Sequence, residues 1–475
     1  MGQVTGEAQL GRSASRRGSP TAVLVVVLSG LFTVSLTITV LSNSLDRIAG
    51  DLHSTRATVL WSITGPMLAF GVVGPAFGKA GDLWGHRRVF ILGLAGAAVF
   101  AALTAVAWSA PSMIAFRILS ATMGSATGPS AMAFINRMYP PSERVRPLGY
   151  WSFVTAGAPV IGVVVGAPLV ALAGWRVIFI AQAPLCAAGA LIAARLLPET
   201  DRQENVRFDV AGAVTLGLGA SLALIGINRG NDWGWTSPQL VGCLALSAVL
   251  LGAFARVERR ATEPLLPLAW LRRRNFVAPI GAQTLANFAY MGSFMLAPSL
   301  LQNGLGYSET HSGLMLIARP LAFALAASRA GYVSGRIGER NSGIAGTTVV
   351  VVSMLTFASL GDASGGLVVI VALALAGVGM GLAAPAMIAS VANSVDDADL
   401  GVAGAFQQLM SQLGAVLGAE VMQSVQLAGS GTGTTMADFS RAFVVAAAVG
   451  AMAVGVSSGV RRQPRVASSV LLTDA

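Results

Sequence analysis

The charged residues of this chain are few enough to be read one by one: among 475 residues, 21 are Asp or Glu, 31 are Lys or Arg and 3 are His. One group is Gly78-Lys79-Ala80-Gly81-Asp82-Leu83-Trp84-Gly85-His86-Arg87-Arg88. Its glycines Gly78, Gly81 and Gly85 permit a tight turn and close helix approach. Asp82, at a helix end, can accept hydrogen bonds from backbone N–H groups and pair with Arg87 or Arg88. The chemistry is that of a charge lock, made and broken as helices move; the plainer alternative is a set of solvated loop charges. Three more charges stand within apolar sequence: Arg117 in Phe116-Arg117-Ile118, Arg319 before Pro320, and Glu420. A buried Arg costs at least ~2.5 kcal/mol even on lenient insertion scales, so each base must face a cavity or a partner. Arg117 is open to a second account, in which nearby carbonyls hold it as structural glue. Glu420, a lone carboxyl deep in its run, could take up and give back a proton. It could equally pair permanently with Arg319, or lie nearer the aqueous face. Two buried bases against one acid leave room for an anionic or zwitterionic substrate group.

Uncharged polar residues form stripes. Gln283, Asn287, Tyr290, Met291 and Phe294 recur at i, i+4, i+7, i+8 and i+11, one helical face. Amide, aromatic and Met groups together suit an adaptable, mostly apolar pocket. Gln408 and Gln412 lie a turn apart, and Thr33, Thr37 and Ser44 mark the first apolar run. These residues line one midplane cavity or hydrogen-bond between helices. Other chemistries are poorly served. Cys186 and Cys243 lie inside apolar runs, and the histidines show no metal-ligand spacing. No Gly-x-x-x-x-Gly-Lys-Ser/Thr loop or Ser/His/Asp arrangement is apparent, so neither a cofactor nor an enzyme is expected.

The elements that must position these residues follow from composition. The chain is 54% hydrophobic and 11% charged, whereas soluble domains carry about 25% charged residues. Apolar runs of roughly 20 residues, the length that spans ~30 Å of hydrocarbon, define an all-α polytopic membrane protein. Candidate spans lie near 22–43, 58–77, 88–108, 111–135, 147–171, 176–197, 209–228, 238–256, 275–301, 311–330, 343–361, 366–392, 401–424 and 440–460. With the N-terminus inside, 23 basic residues fall in inside segments and 4 outside. This bias places both termini in the cytoplasm and requires an even number of spans. Arg12, Arg16 and Arg17 precede the first run, whose length suits a retained helix better than a cleaved signal. The net charge of +10 is spread over short loop clusters, which argues against nucleic acid as a partner.

A repeat organises the spans. The tenth ends in Gly331-Tyr332-Val333-Ser334-Gly335-Arg336-Ile337-Gly338-Glu339-Arg340, which aligns with the first loop at Gly78/Gly331, Gly85/Gly338 and Arg87/Arg340. Gly335 stands at the position of Asp82. Two six-helix bundles, 22–197 and 275–460, then flank two inserted helices within 209–256, between tails 1–21 and 461–475. Parallel halves of this kind are a known transporter architecture.

The first loop resembles the signature of the major facilitator superfamily, Gly-x-x-x-Asp-x-x-Gly followed by basic residues, with His86 at one basic position. The helix number, the segment Asn136–Arg144 and the Trp175-Arg176-Val177-Ile178-Phe179 start of the sixth span resemble that superfamily's fourteen-helix drug:proton antiporter branch. The resemblance implies the major facilitator fold and a proton-coupling role for the basic position at Arg117. It also implies an acid in the first span where this chain has Thr37, and a Gly-Pro pair in the fifth where it has Gly162-Val163. The function expected is export of small amphipathic compounds such as drugs or antibiotics, driven by proton influx through alternating access, from a monomer in the cell membrane. Arg117 and Glu420 would couple protons, and Gly78, Asp82, Gly85, Arg87 and Arg88 would form the conformational gate. Thr37, Asn287, Tyr290, Met291, Phe294, Arg319, Gln408 and Gln412 would line the substrate cavity. The alternatives are a proton-independent uniporter or importer of a small metabolite, and a transport-dead membrane receptor.

Overall fold

All regular structure among the described residues of the computed structural model is helical. The structure describes residues 19–37, 40–41, 45–140, 143–200, 209–261, 264, 266–361, 365–396, 399–428 and 435–461. Ser44, Arg202, Arg207 and tail residues 1–18 and 462–475 lie outside them.

Helix boundaries follow from caps and breakers. Ser19 accepts from the Ala22 N–H at 3.2 Å, and Pro20 opens α1 (Pro20–Ser35). A short α2 (Leu45–Asp51) leads to Thr55, which caps α3 (Arg56–Trp84) through the Thr58 N–H. Gly85, with φ of 94°, ends α3 and lets α4 (His86–Ala105) begin at once. The fourth apolar run, expected as one helix over 111–135, is two: α5 (Ala110–Gly124), opened by a Ser109–Ser112 capping box, and α6 (Thr127–Met138). The ring of Pro129 excludes a bond to the Ser125 carbonyl four residues back, and the helix breaks there. The tenth run divides for the same reason, Pro320 standing four residues after Leu316, into α13 (Glu309–Leu316) and α14 (Ala318–Ile337).

The remaining elements are α7 (Val145–Ala173), α8 (Arg176–Leu196), α9 (Val210–Asn228), α10 (Gly230–Trp233), α11 (Pro238–Glu258), α12 (Arg274–Ser299), α15 (Glu339–Ala358), α16 (Gly366–Ala392), α17 (Leu400–Ala428) and α18 (Met436–Ser458). A π turn, Leu300–Gly304, continues α12. Among the described residues, eight stretches are long and apolar enough to cross a bilayer: α4, α8, α9, α11, His311–Ile337, α15, α16 and α18. Side chains such as Leu172, Val249 and Leu367 are largely exposed, as suits surfaces solvated by lipid.

Packing gathers α14, α15 and α16 together, with α12 along α17 and α18, around Tyr290, Phe323, Met354, Phe357 and Phe443. Earlier in the chain, α4 packs on α5 and α8 while α1 meets α6, α7 and α8, around Leu31, Phe90, Leu94, Phe134 and Trp151. The two groups meet along a seam where α3 faces α17 and α7 faces α14. At Gly78 the approach is so close that a Cβ would sit 2.5 Å from the Gly401 carbonyl oxygen. Helix α9 pairs with α11 and also touches α3 and α17, placing Leu216 and Leu224 beside Val72 and Val402.

Candidate functional site

The loop that joins α3 to α4 reaches the seam. Asp82, on the last turn of α3, is 1% exposed. Its Oδ1 lies 2.8 Å from His86 Nε2 and 3.9 Å from Arg137 Nη2, while its Oδ2 accepts from the Val402 N–H at 3.3 Å. That last bond crosses to the first turn of α17, where unpaired amides and the positive end of the helix dipole favour a carboxylate. The expected pairing of Asp82 with Arg87 or Arg88 is not made. Both arginines follow the Gly85 turn, which directs Arg87 toward the C-terminal end of α8. There Arg87 Nη1 donates to Glu199 and Nη2 to the Ala194 carbonyl, while Arg88 is exposed. His86 and Arg137 take the place expected of them beside the acid.

The second loop has the same backbone: Gly338 has φ of 85° and ψ of 159°, against 94° and 127° at Gly85. Arg340 Nε donates to the Ser458 carbonyl at the end of α18, as Arg87 does to the end of α8. Gly335 carries no acid, but Glu339, aligned with His86, supplies one. Its Oε1 accepts from Asn393 Nδ2 at 2.9 Å, and Asn393 Oδ1 accepts from Arg144 Nη1 at 2.8 Å. Arg144 precedes α7, so this bridge also crosses the seam. Sequence reasoning missed Glu339, although its place opposite His86 in the aligned loops marked it.

The two buried arginines have different surroundings. Arg117, on α5, donates from Nε to the Ser62 carbonyl and from Nη2 to the Thr37 carbonyl at 3.1 Å, with Phe179 5.1 Å from its Cζ. It borders a cavity of about 330 Å³ with Thr37, Phe70, Ser120 and Gln182. Arg319, at the start of α14, stacks on Tyr290, its Cζ 3.5 Å from the ring centroid, with Phe294 at 5.0 Å. Its Nη2 donates to the Tyr290 carbonyl, whereas Nε and Nη1 have no hydrogen-bond partner among the described residues.

A second cavity, about 340 Å³, lies on the seam between Phe70, Met132, Trp151, Thr155, Gly404 and Gln408. Gln412 packs against Gly71 of α3. No α12 residue lines either of these two spaces. Gln283 accepts from Gln407 at 2.7 Å, and Asn287 donates to Ser411, so those amides fasten α12 to α17. Tyr290 and Phe294 cover Arg319, and Met291 packs against the core around Tyr290.

Glu420 does not pair with Arg319. It accepts from Asn228 Nδ2 at 3.2 Å and Asn231 Nδ2 at 2.7 Å, while Trp235 Nε1 donates to Ser424. The polar tip between α9 and α11 therefore docks on α17. From the same tip, Arg229 lies over the Trp61 ring of α3 at 4.8 Å. Nothing in the composition of the inserted pair signalled this docking.

Comparison with known proteins agrees with this architecture. A curated relative, the tetracenomycin C resistance and export protein of Streptomyces glaucescens, is 32% identical over 86% of this chain and 76% of its own length. The probable actinorhodin transporter of Streptomyces coelicolor is 29% identical over 90% of this chain and 77% of its own. Among solved structures, the human organic anion transporter MFSD10 (TETRAN) matches the fold with a TM-score of 0.65 at 16% identity, covering 92% of this chain and 99% of that one. The Major Facilitator Superfamily model matches residues 27–419, and with the repeated seam loops this shows that the chain is a membrane transporter belonging to that superfamily.

Proposed function

We propose that this transporter exports small amphipathic compounds, drugs or antibiotics among them, from the cytoplasm across the cell membrane by alternating access coupled to proton influx. In this reading the chain crosses the bilayer fourteen times with both termini inside and acts as a monomer. The bundles 22–197 and 275–460 rock about the seam, and the helices within 209–256 are inserted between them. The observation that carries the reading is Asp82, a buried acid whose partner Val402 belongs to the opposite bundle. A carboxylate bound to a helix end that must move away holds one state and releases it when the bundles tilt. Two relatives named for export or transport of antibiotic-type compounds support the direction and substrate class.

Protons would move through Glu420 and the Arg117 region, and Thr37, Gln408 and Gln412 would face the transported compound. A pH jump imposed on proteoliposomes, read against a panel of cationic, neutral and anionic amphipaths, tests this. Flux should rise several-fold with the gradient and lose that response in Glu420→Gln; an unchanged response in the variant removes Glu420 from coupling. The docking of Glu420 on Asn228 and Asn231 favours one alternative, a proton-independent carrier in which Glu420 only anchors the inserted helices. Flux indifferent to the gradient in the wild type would select it.

A further inference from the structure

Arg319 is 2% exposed, yet only one of its three guanidinium nitrogens, Nη2, has an acceptor among the described residues. Arg117 shows what a structurally satisfied arginine looks like in this fold, with Nε and Nη2 both on carbonyls. No carboxylate among the described residues pairs with Arg319, and the partner considered from the sequence, Glu420, is held by Asn228 and Asn231. Its cover is aromatic: Tyr290, 5% exposed, and Phe294, half-buried one turn further along the same face of α12. A planar cation between ring faces keeps its edge donors available, because stacking uses its faces and leaves the N–H groups pointing outward. A buried cation without a counter-charge is costly in a membrane bundle, so an anion that reaches it binds strongly. Phe294, the less buried of the two rings, is the part of the cover that can swing aside.

We propose that Arg319 is the recognition site for an acidic group on the transported compound, a carboxylate or phenolate carried on an aromatic body that packs against Tyr290 and Phe294. The proposal rests on the export reading and specifies its substrate class as organic acids.

Binding of 1-naphthoate and of 1-naphthamide, matched in shape and differing in charge, to the purified full-length protein tests the site through tryptophan fluorescence. The wild type should prefer the acid by about tenfold or more. Arg319→Gln should bring the two affinities together without weakening that for rhodamine 6G, a cation, and Arg319→Lys should restore part of the preference. Equal wild-type affinities, or a loss in Arg319→Gln that is the same for all three probes, overturns the proposal and makes Arg319 a packing residue. The export reading survives that result if other amphipaths of the panel are moved in proteoliposomes, and falls only if none is. Should Arg319→Gln fail to fold, the wild-type acid-to-amide ratio and the Arg319→Lys value decide.

Discussion

The two loops at Gly85 and Gly338 share one backbone turn and place one arginine alike, Arg87 on α8 and Arg340 on α18. They differ in the acid. The first loop holds Asp82 buried and reaches directly to the Val402 amide of the opposite group of helices. The second has lost that acid to Gly335, carries Glu339 four positions later, and reaches across only through Asn393 to Arg144. A direct carboxylate-to-amide bond depends on the exact approach of two helices, whereas a bridge through a flexible amide tolerates displacement. The difference teaches that the repeated part is the turn with its anchoring arginine, and that the cross-seam bond can be rebuilt by whichever residue the turn brings near.

The largest effect should come from breaking the direct bond. Asp82→Asn removes a charge-assisted hydrogen bond of about 1.5–3 kcal/mol, so export should fall by about tenfold or more. Spin labels at Arg88→Cys and Asp396→Cys, in a background without Cys186 and Cys243, should report a longer distance across the seam; an unchanged distance would make the first loop no more than a topological signal. The bridged copy should matter less. Glu339→Gln keeps an acceptor for Asn393 and should lengthen the same label distance by less than Asp82→Asn does; an equal displacement would show that the direct and the bridged bond hold the seam alike. The smallest effects belong to what the copies share. Arg87→Ala and Arg340→Ala each free a helix-end carbonyl on a partly exposed surface and should lower thermal stability by about 1 kcal/mol or less, Arg87→Ala slightly more because it also loses Glu199; a larger loss in Arg340→Ala would show that the anchors are not equivalent.

Much of the helical plan was readable because a bilayer demands runs of known length, and the seam loop because its glycines and acid keep a fixed spacing. What was not readable depends on where long side chains end. Asp82 and Arg87 are five positions apart and look like partners, but the Gly85 turn sends them to different helices. Glu420 and Arg319 look like a pair by charge alone, while an amide-rich tip some 190 residues earlier reaches the acid first. The stripe from Gln283 to Phe294 has the period of a pocket wall, yet that period equally suits α12 packed along α17, and only the partners Gln407 and Ser411 separate the two accounts. Pro129 and Pro320 could have been used to divide their runs, since a proline denies the residue four places back its hydrogen bond; overall apolarity hid that local rule.

The tip between α9 and α11 touches both groups of helices, but with unequal grip. Toward α17, among the described residues, its side chains donate from Asn228, Asn231 and Trp235, and Asn231 also accepts from Ser424; toward α3 it rests one guanidinium on the face of Trp61. When α3 and α17 spread at that end, the stacked face lets go first, because a cation resting on a ring is held by about 0.5–1 kcal/mol where water can reach it. If the two groups rock as proposed, the added pair travels as cargo of the second group, and Trp61 is a landing spot vacated and reoccupied in each cycle.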